Sequence, residues 1–122
     1  YWKPDSSGAV PQVQLGFDLA RVDDAAAGDP TEMQAWMIGL GWTDLFMDGN
    51  RGGFGIGSRQ HATEYNAGTT TDAAKDNRVW EAYYSFKIND GVTITPAIFG
   101  GTDVEADDQD VNGALVQTEF RF

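Results

Sequence analysis

The 122-residue sequence contains no cysteine and a single histidine, His61. The first absence excludes disulfides and thiolate metal sites. The second leaves no pair of imidazoles for metal binding or acid–base work, and a lone His61 near a strand end reads as a solvated rim residue. No run of 18 apolar residues occurs, so no helix can span a membrane. Basic residues are scarce, with 8 Lys and Arg against 19 Asp and Glu and a formal net charge of −11. Nothing here could neutralise a phosphate backbone, which argues against a nucleic-acid partner. A basic leader followed by an apolar stretch is also missing from the start. Ser-His-Asp order, a Walker loop and a dinucleotide fingerprint are all absent, and the glycines from Gly52 to Gly57 open no helix. The expectation is a chain with no reaction, no metal and no cofactor.

What the chain has is glycine, 15 residues of it, and alternation. Counting back from Phe122 by twos gives Phe120, Thr118, Val116 and Ala114, while Arg121, Glu119 and Gln117 fall between them. A period of two is a strand with one apolar and one polar side. Six segments read this way: 12–21, 33–46, 53–65, 78–89, 92–101 and 111–122. Val13, Leu15, Phe17 and Leu19 share a face on the first, and Trp36, Ile38, Leu40 and Trp42 on the second. Phe54 and Ile56 oppose Gly55 and Gly57 on the third. The fourth sets Trp80, Ala82, Tyr84, Phe86 and Ile88 against Glu81, Tyr83, Ser85, Lys87 and Asn89; the fifth aligns Val92, Ile94, Pro96 and Ile98. Pro96 cannot donate to a ladder, a cost a central strand would normally avoid.

The connections alternate in length. Those at 22–31, 66–77 and 102–109 are long and acidic or polar; those at 47–52 and 89–91 are short and carry turn residues. Short turns at one rim, long loops at the other and aromatic residues near strand ends are the marks of an outer-membrane barrel. Parity puts Phe122 and the short turns at one rim, expected to be periplasmic, and the acidic loops at the other. A mean hydropathy of −0.40 does not count against this, because a barrel hides its lipid face in alternation. The alternative is a soluble envelope β-sandwich that binds a ligand or calcium through its acidic loops.

The hairpin "EAYYSFKINDGVTITPAI", the closing "GALVQTEFRF" and the turn "DLFMDGNRGGFGIG" resemble the C-terminal strands of cyanobacterial porins related to the carbohydrate-selective porin family, often labelled iron-uptake porins. The resemblance is clear over about two-thirds of the chain and loose over residues 1–31. It implies an all-β fold, an antiparallel transmembrane β-barrel of about sixteen strands, with residues 1–122 forming the last six of them. It further implies a homotrimer in the bacterial outer membrane, surrounded by lipid. Its function would be a water-filled channel for passive diffusion of small hydrophilic solutes such as inorganic ions and sugars. Family members carry an N-terminal cell-wall-binding segment that these residues do not include.

Within that reading, Arg21, Arg78, Lys87, Glu119 and Arg121 are the candidate pore-lining residues, assigned to the polar side, with Arg59 joining them if the third strand keeps its register. Such charges set ion preference through the local field. Trp36, Trp42, Trp80, Tyr84, Phe120 and Phe122 are the candidate lipid-interface aromatics. One competing motif remains. Asp108, Asp110, Asn112, Gly113 and Glu119 satisfy EF-hand spacing, but calcium loops need a helix on each side, and the flanks read as strands. Glu119 is therefore expected to be a wall residue and not a calcium ligand.

Overall fold

A computed structural model describes residues 1–3, 8–66, 77–102 and 109–122. Its elements are seven strands: β1 (Gln12–Arg21), β2 (Pro30–Thr43), β3 (Arg51–Ser58), β4 (His61–Tyr65), β5 (Arg78–Asn89), β6 (Val92–Thr102) and β7 (Val111–Phe120). All pairings are antiparallel. The sheet runs β1-β2-β3-β5-β6-β7, with β4 also on β2. It is open: β1 and β7 each pair with one strand neighbour only. Most of the two longer polar stretches, 67–76 and 103–108, lies outside the described residues.

Register fixes which side chains share a face, because paired residues project to the same side. Leu15, Ile38, Ile56, Trp80 and Gly100 follow one another through successive ladders. Leu40 stands opposite Val13 and Phe54, Ala82 opposite Phe54 and Ile98, and Phe120 opposite Val92. The alternation in each segment therefore joins into one apolar sheet face. The opposite face carries Gln12, Gln14, Gly39, Gly41, Gly53, Gly55, Glu81, Ser85, Thr95 and Gln117 through the same ladders. It also holds Met37, Phe99 and Val111 towards the long-connection rim, so polarity there is concentrated in the short-turn half.

No second layer covers either face among the described residues, since every strand packs against its sheet neighbours. A two-sheet sandwich is not what these strands form. Ala62 and Ala97 are the only buried apolar residues described, while Leu15, Phe17 and Val116 are 67%, 68% and 69% exposed. The apolar face lies open.

The third segment departs from the six-strand expectation. It is two strands, β3 and β4, because Met37 pairs with Gly57 while Gln34 pairs with His61. Three steps on β2 thus face four on the other side, the signature of a β-bulge. The interruption is satisfied locally: the Trp36 N–H donates to Ser58 Oγ at 3.1 Å, and the Arg59 N–H donates to Asn77. A second irregularity separates Met33–Ala62 from Glu32–Glu64.

The second strand ends earlier than its alternation suggests. Asp44 and Phe46 adopt left-handed φ of 56° and 65°, and Gly49 one of 83°, so residues 44–46 belong to the turn. Asp44 Oδ1 accepts the Gly49 N–H at 2.7 Å. Asn50, only 3% exposed, locks this turn to β5. Its Oδ1 accepts the Lys87 N–H at 2.9 Å, its Nδ2 donates to the Tyr84 hydroxyl at 3.1 Å, and that hydroxyl donates to the Leu45 carbonyl at 2.6 Å. The Asn50 side chain continues the ladder one step beyond the Arg51–Ser85 pair.

The hairpin at Asp90–Gly91 closes through an Asn89 side chain that accepts the Gly91 N–H at 2.8 Å. Gly91 does not use a positive φ. It is small because β7 ends above it: a Cβ would sit 3.0 Å from the Arg121 carbonyl, which leaves the Gly91 carbonyl accepting the Arg121 N–H. Pro96 lies in β6 with neighbours on both sides. The ladder to β5 is silent opposite it, and a Ser85–Thr95 hydroxyl hydrogen bond of 2.7 Å bridges the gap.

Candidate functional site

The polar sheet face is concave. One depression of about 600 Å³ is bounded by Arg51, Lys87, Thr93, Gln117, Glu119 and Arg121. A second, of about 330 Å³, extends from Tyr1 and Gln12 over Gly39 and Gly55. Both include Glu81 and Tyr83, so they form one trough. Its floor is low where glycines stand in register: Gly39 pairs with Gly55, and Gly41 with Gly53. The Tyr83 ring lies across Gly53 in the space where a Cβ would project. Phe99 covers Gly113 in the same way. Each is a ring on one strand packed over a glycine on its neighbour, which shields the thin backbone.

Charge in the trough is arranged in pairs. Lys87 Nζ lies 2.7 Å from Asp90 Oδ1, and Arg121 Nε donates to Glu119 Oε1 at 2.7 Å. The Asp90 carboxyl is held below its ordinary value of 3.8, first by the hydrogen bond from Lys87 and then by its positive charge. Arg51 and Glu81 project into the same trough without an ion pair among the described residues. Neutral polar groups, Ser85, Thr95 and Gln117, form one rung of the trough, and Lys87, Thr93 and Glu119 form the next.

Of the residues assigned to the polar side from sequence, Lys87, Glu119 and Arg121 are there. Arg21 and Arg78 are not. Arg21 pairs with Glu32 in unbroken register after Leu19, and Arg78 pairs with Ser58 and Thr102 two residues from Trp80. Both stand on the apolar face at the long-connection rim. The parity count that assigns them to the polar side is wrong, since Arg21 is in step with Leu19 and Arg78 with Trp80, and a rim residue need not match the character of the face it belongs to. Arg21 forms an ion pair with Glu32 at 3.2 Å. Arg59 falls in the break between β3 and β4 and belongs to neither face. The trough residues not singled out from sequence are Arg51, Glu81 and Tyr83. Counting by twos from Lys87, or from Gly55 back to Arg51, finds all three.

Trp36, Trp42, Trp80, Tyr84 and Phe120 share the apolar face, and Phe122, beyond β7, is fully exposed. Tyr84 gathers Phe86 at 4.6 Å edge-on and Phe46 at 6.2 Å stacked, which adds a turn residue, 88% exposed, to the aromatic end of the sheet. Trp42 anchors the approach to β1 by donating to the Ala9 carbonyl at 3.1 Å.

The EF-hand spacing is spatially void. Asn112 and Glu119 lie on opposite faces of β7, roughly 23 Å apart along an extended strand; Asp108 is outside the described residues. Among the described residues no cluster of three or more His, Asp or Glu side chains could hold a metal ion. His61 Nδ1 contacts the Arg59 carbonyl at 3.0 Å. No protein-family model, curated protein or solved structure matches the chain.

Proposed function

We propose that this sheet is a section of the wall of an outer-membrane porin, with the apolar face against lipid and the polar trough lining a water-filled channel. Small hydrophilic solutes, inorganic ions and sugars among them, pass by diffusion without a reaction. The observation that carries the reading is the uncovered apolar face. Ten large side chains on it, from Leu15 and Phe17 through Ile38, Phe54, Phe86 and Ile98 to Val116 and Phe120, are open to the surroundings. Burying a fully exposed side chain of this size is worth roughly 1.5–3 kcal/mol; with about half of each still exposed, together they forgo an amount comparable to the roughly 5–15 kcal/mol that holds an ordinary domain together. Lipid supplies the missing burial.

Three further features support it. Strands of 8 to 14 residues, β4 aside, suit a tilted crossing of the hydrocarbon. Aromatic side chains border the apolar face, as expected at membrane interfaces. The edges of β1 and β7 need partners in lipid, where no water satisfies a bare ladder, and a closed barrel, assembled as the trimer the resemblance implies, provides them.

The test is direct. The purified whole protein, added to a planar bilayer, is expected to give stepwise conductance and to partition into detergent on phase separation. A protein that stays in the aqueous phase and gives no conductance steps refutes the reading.

A further inference from the structure

The polar trough is not polar throughout. Its rungs run from charge at the short-turn rim to hydrocarbon at the long-connection rim. Met37, Gly57, Val79, Gly101 and Val111 stand in register on β2, β3, β5, β6 and β7. Large side chain and glycine alternate along this rung, which hollows a groove of about 520 Å³ that Phe99 and Glu81 also line. The neighbouring rung, Gly39, Gly55, Glu81, Phe99 and Gly113, carries one charge. Glu81 lines this groove and both polar depressions. It marks the place where the two halves of the trough meet.

Hydrocarbon surrounds this carboxylate. Phe99 stands directly across the ladder, about 4.8 Å away, and Tyr83 is two residues further along the same face. Arg51 pairs with Ser85, four residues or about 13 Å along β5 from Glu81. Lys87 lies further off and is held by Asp90. Glu81 has no ion pair among the described residues.

We propose that this is a binding site for a small organic ammonium ion with an apolar body. The charge sits at Glu81 beside the Tyr83 and Phe99 rings, and the body lies in the groove over Val79. The inference rests on the porin reading for its role, because it takes the trough to be a solute path. An ammonium donates to a carboxylate in a charge-assisted hydrogen bond, and aromatic rings attract the same cation through their quadrupole. The chain's net charge of −11 concentrates cations near it. An inorganic cation is the weaker match. Calcium takes about six to eight oxygen ligands, whereas Glu81 belongs to no cluster of three metal-binding side chains among the described residues, and an ion would leave the groove empty. A neutral apolar solute would fill the groove and leave the carboxylate unanswered.

Isothermal titration calorimetry of the whole protein in detergent micelles, with empty micelles as reference, tests this. At neutral pH benzylammonium is expected to bind about tenfold or more tightly than benzyl alcohol, which has the same ring and no charge. Methylammonium, which lacks the apolar body, binds more weakly than benzylammonium. Glu81→Gln removes the preference for the cation, and Glu81→Asp retains part of it. Val79→Gln spoils the groove while keeping Glu81, and brings benzylammonium down to the level of methylammonium. Equal affinity for benzylammonium and benzyl alcohol, a cation preference that survives Glu81→Gln, or displacement of benzylammonium by an equal concentration of calcium overturns the proposal. Conductance recorded on the same preparations separates the two ideas. Conducting protein that does not bind benzylammonium sinks the ammonium site only, and protein that binds it but never conducts sinks the porin reading.

Discussion

Asn50 is the most buried polar side chain described, and nothing in its local sequence marks it. It looks like one more turn residue between Gly49 and Arg51, yet it is buried and bonds both the Lys87 backbone and the Tyr84 hydroxyl. Replacing it by alanine strands those groups, and Asn50→Ala is expected to lower the unfolding free energy by about 1–3 kcal/mol, read by urea unfolding in lipid vesicles. Asp90 is a residue-scale case of the opposite kind, exposed and dispensable. Because Lys87 holds its folded-state pKa below the ordinary 3.8, the stability it adds is present above that ordinary value and fades as pH falls through the lower, folded one. Asp90→Asn should therefore cost a small, constant amount between about pH 5 and pH 8 and progressively less below about pH 4. Melting midpoints of variant and wild type across that range check the sign; a difference that grows on acidification contradicts it.

At the scale of elements, alternation located β1, β5, β6 and β7 to within a residue or two, because each keeps one face mainly apolar along its middle. It missed the break between β3 and β4, where register is set by Ser58 and Asn77 supplying hydrogen bonds that the ladder no longer makes. A bulge adds a residue without changing composition, so periodicity alone does not reveal it. The glycine rung at Gly41–Gly53 shows the same dependence on partners. Gly53 is required by the Tyr83 ring on the next strand, a contact between residues thirty positions apart. Gly53→Val is expected to destabilise by about 1–3 kcal/mol through overpacking. Adding Tyr83→Ala should recover most of that loss, and a double-mutant cycle in vesicles measures the coupling. Additive losses would show that the ring and the glycine are independent.

For the whole molecule, the decisive property is two-sidedness without a core. The same substitution should therefore have opposite consequences on the two faces. Leu40→Lys, on the apolar face between Val13 and Phe54, is expected to cost about 2–4 kcal/mol of folding into a bilayer if it lies near the midplane. Thr95→Lys, on the trough side, should fold normally and move the ion preference towards anions. Folding yield into vesicles and the reversal potential in a salt gradient read the two effects. Equal tolerance at both positions would contradict the assignment of faces. Charge pairing sharpens the second readout. Removing Lys87 and Asp90 together leaves the trough's net charge unchanged, whereas Arg51→Gln removes a cation that has no ion-pair partner described and should shift the reversal potential towards cations by itself.

The amino-acid sequence by itself determined the strand class, the two faces and the alternation of short and long connections. These follow from the covalent fact that successive side chains point to opposite sides of a strand. It also placed Lys87, Glu119 and Arg121 on the polar face for the same reason. Tertiary structure alone decided the rest. Cross-strand register made the separate faces into one surface and set Arg21 next to Glu32 and Arg78 between Ser58 and Thr102. Bringing Asn50 to Tyr84, Tyr83 to Gly53 and Ser58 to the Trp36 N–H takes pairings between distant segments, and a pattern of period two carries no information about which strand lies beside which.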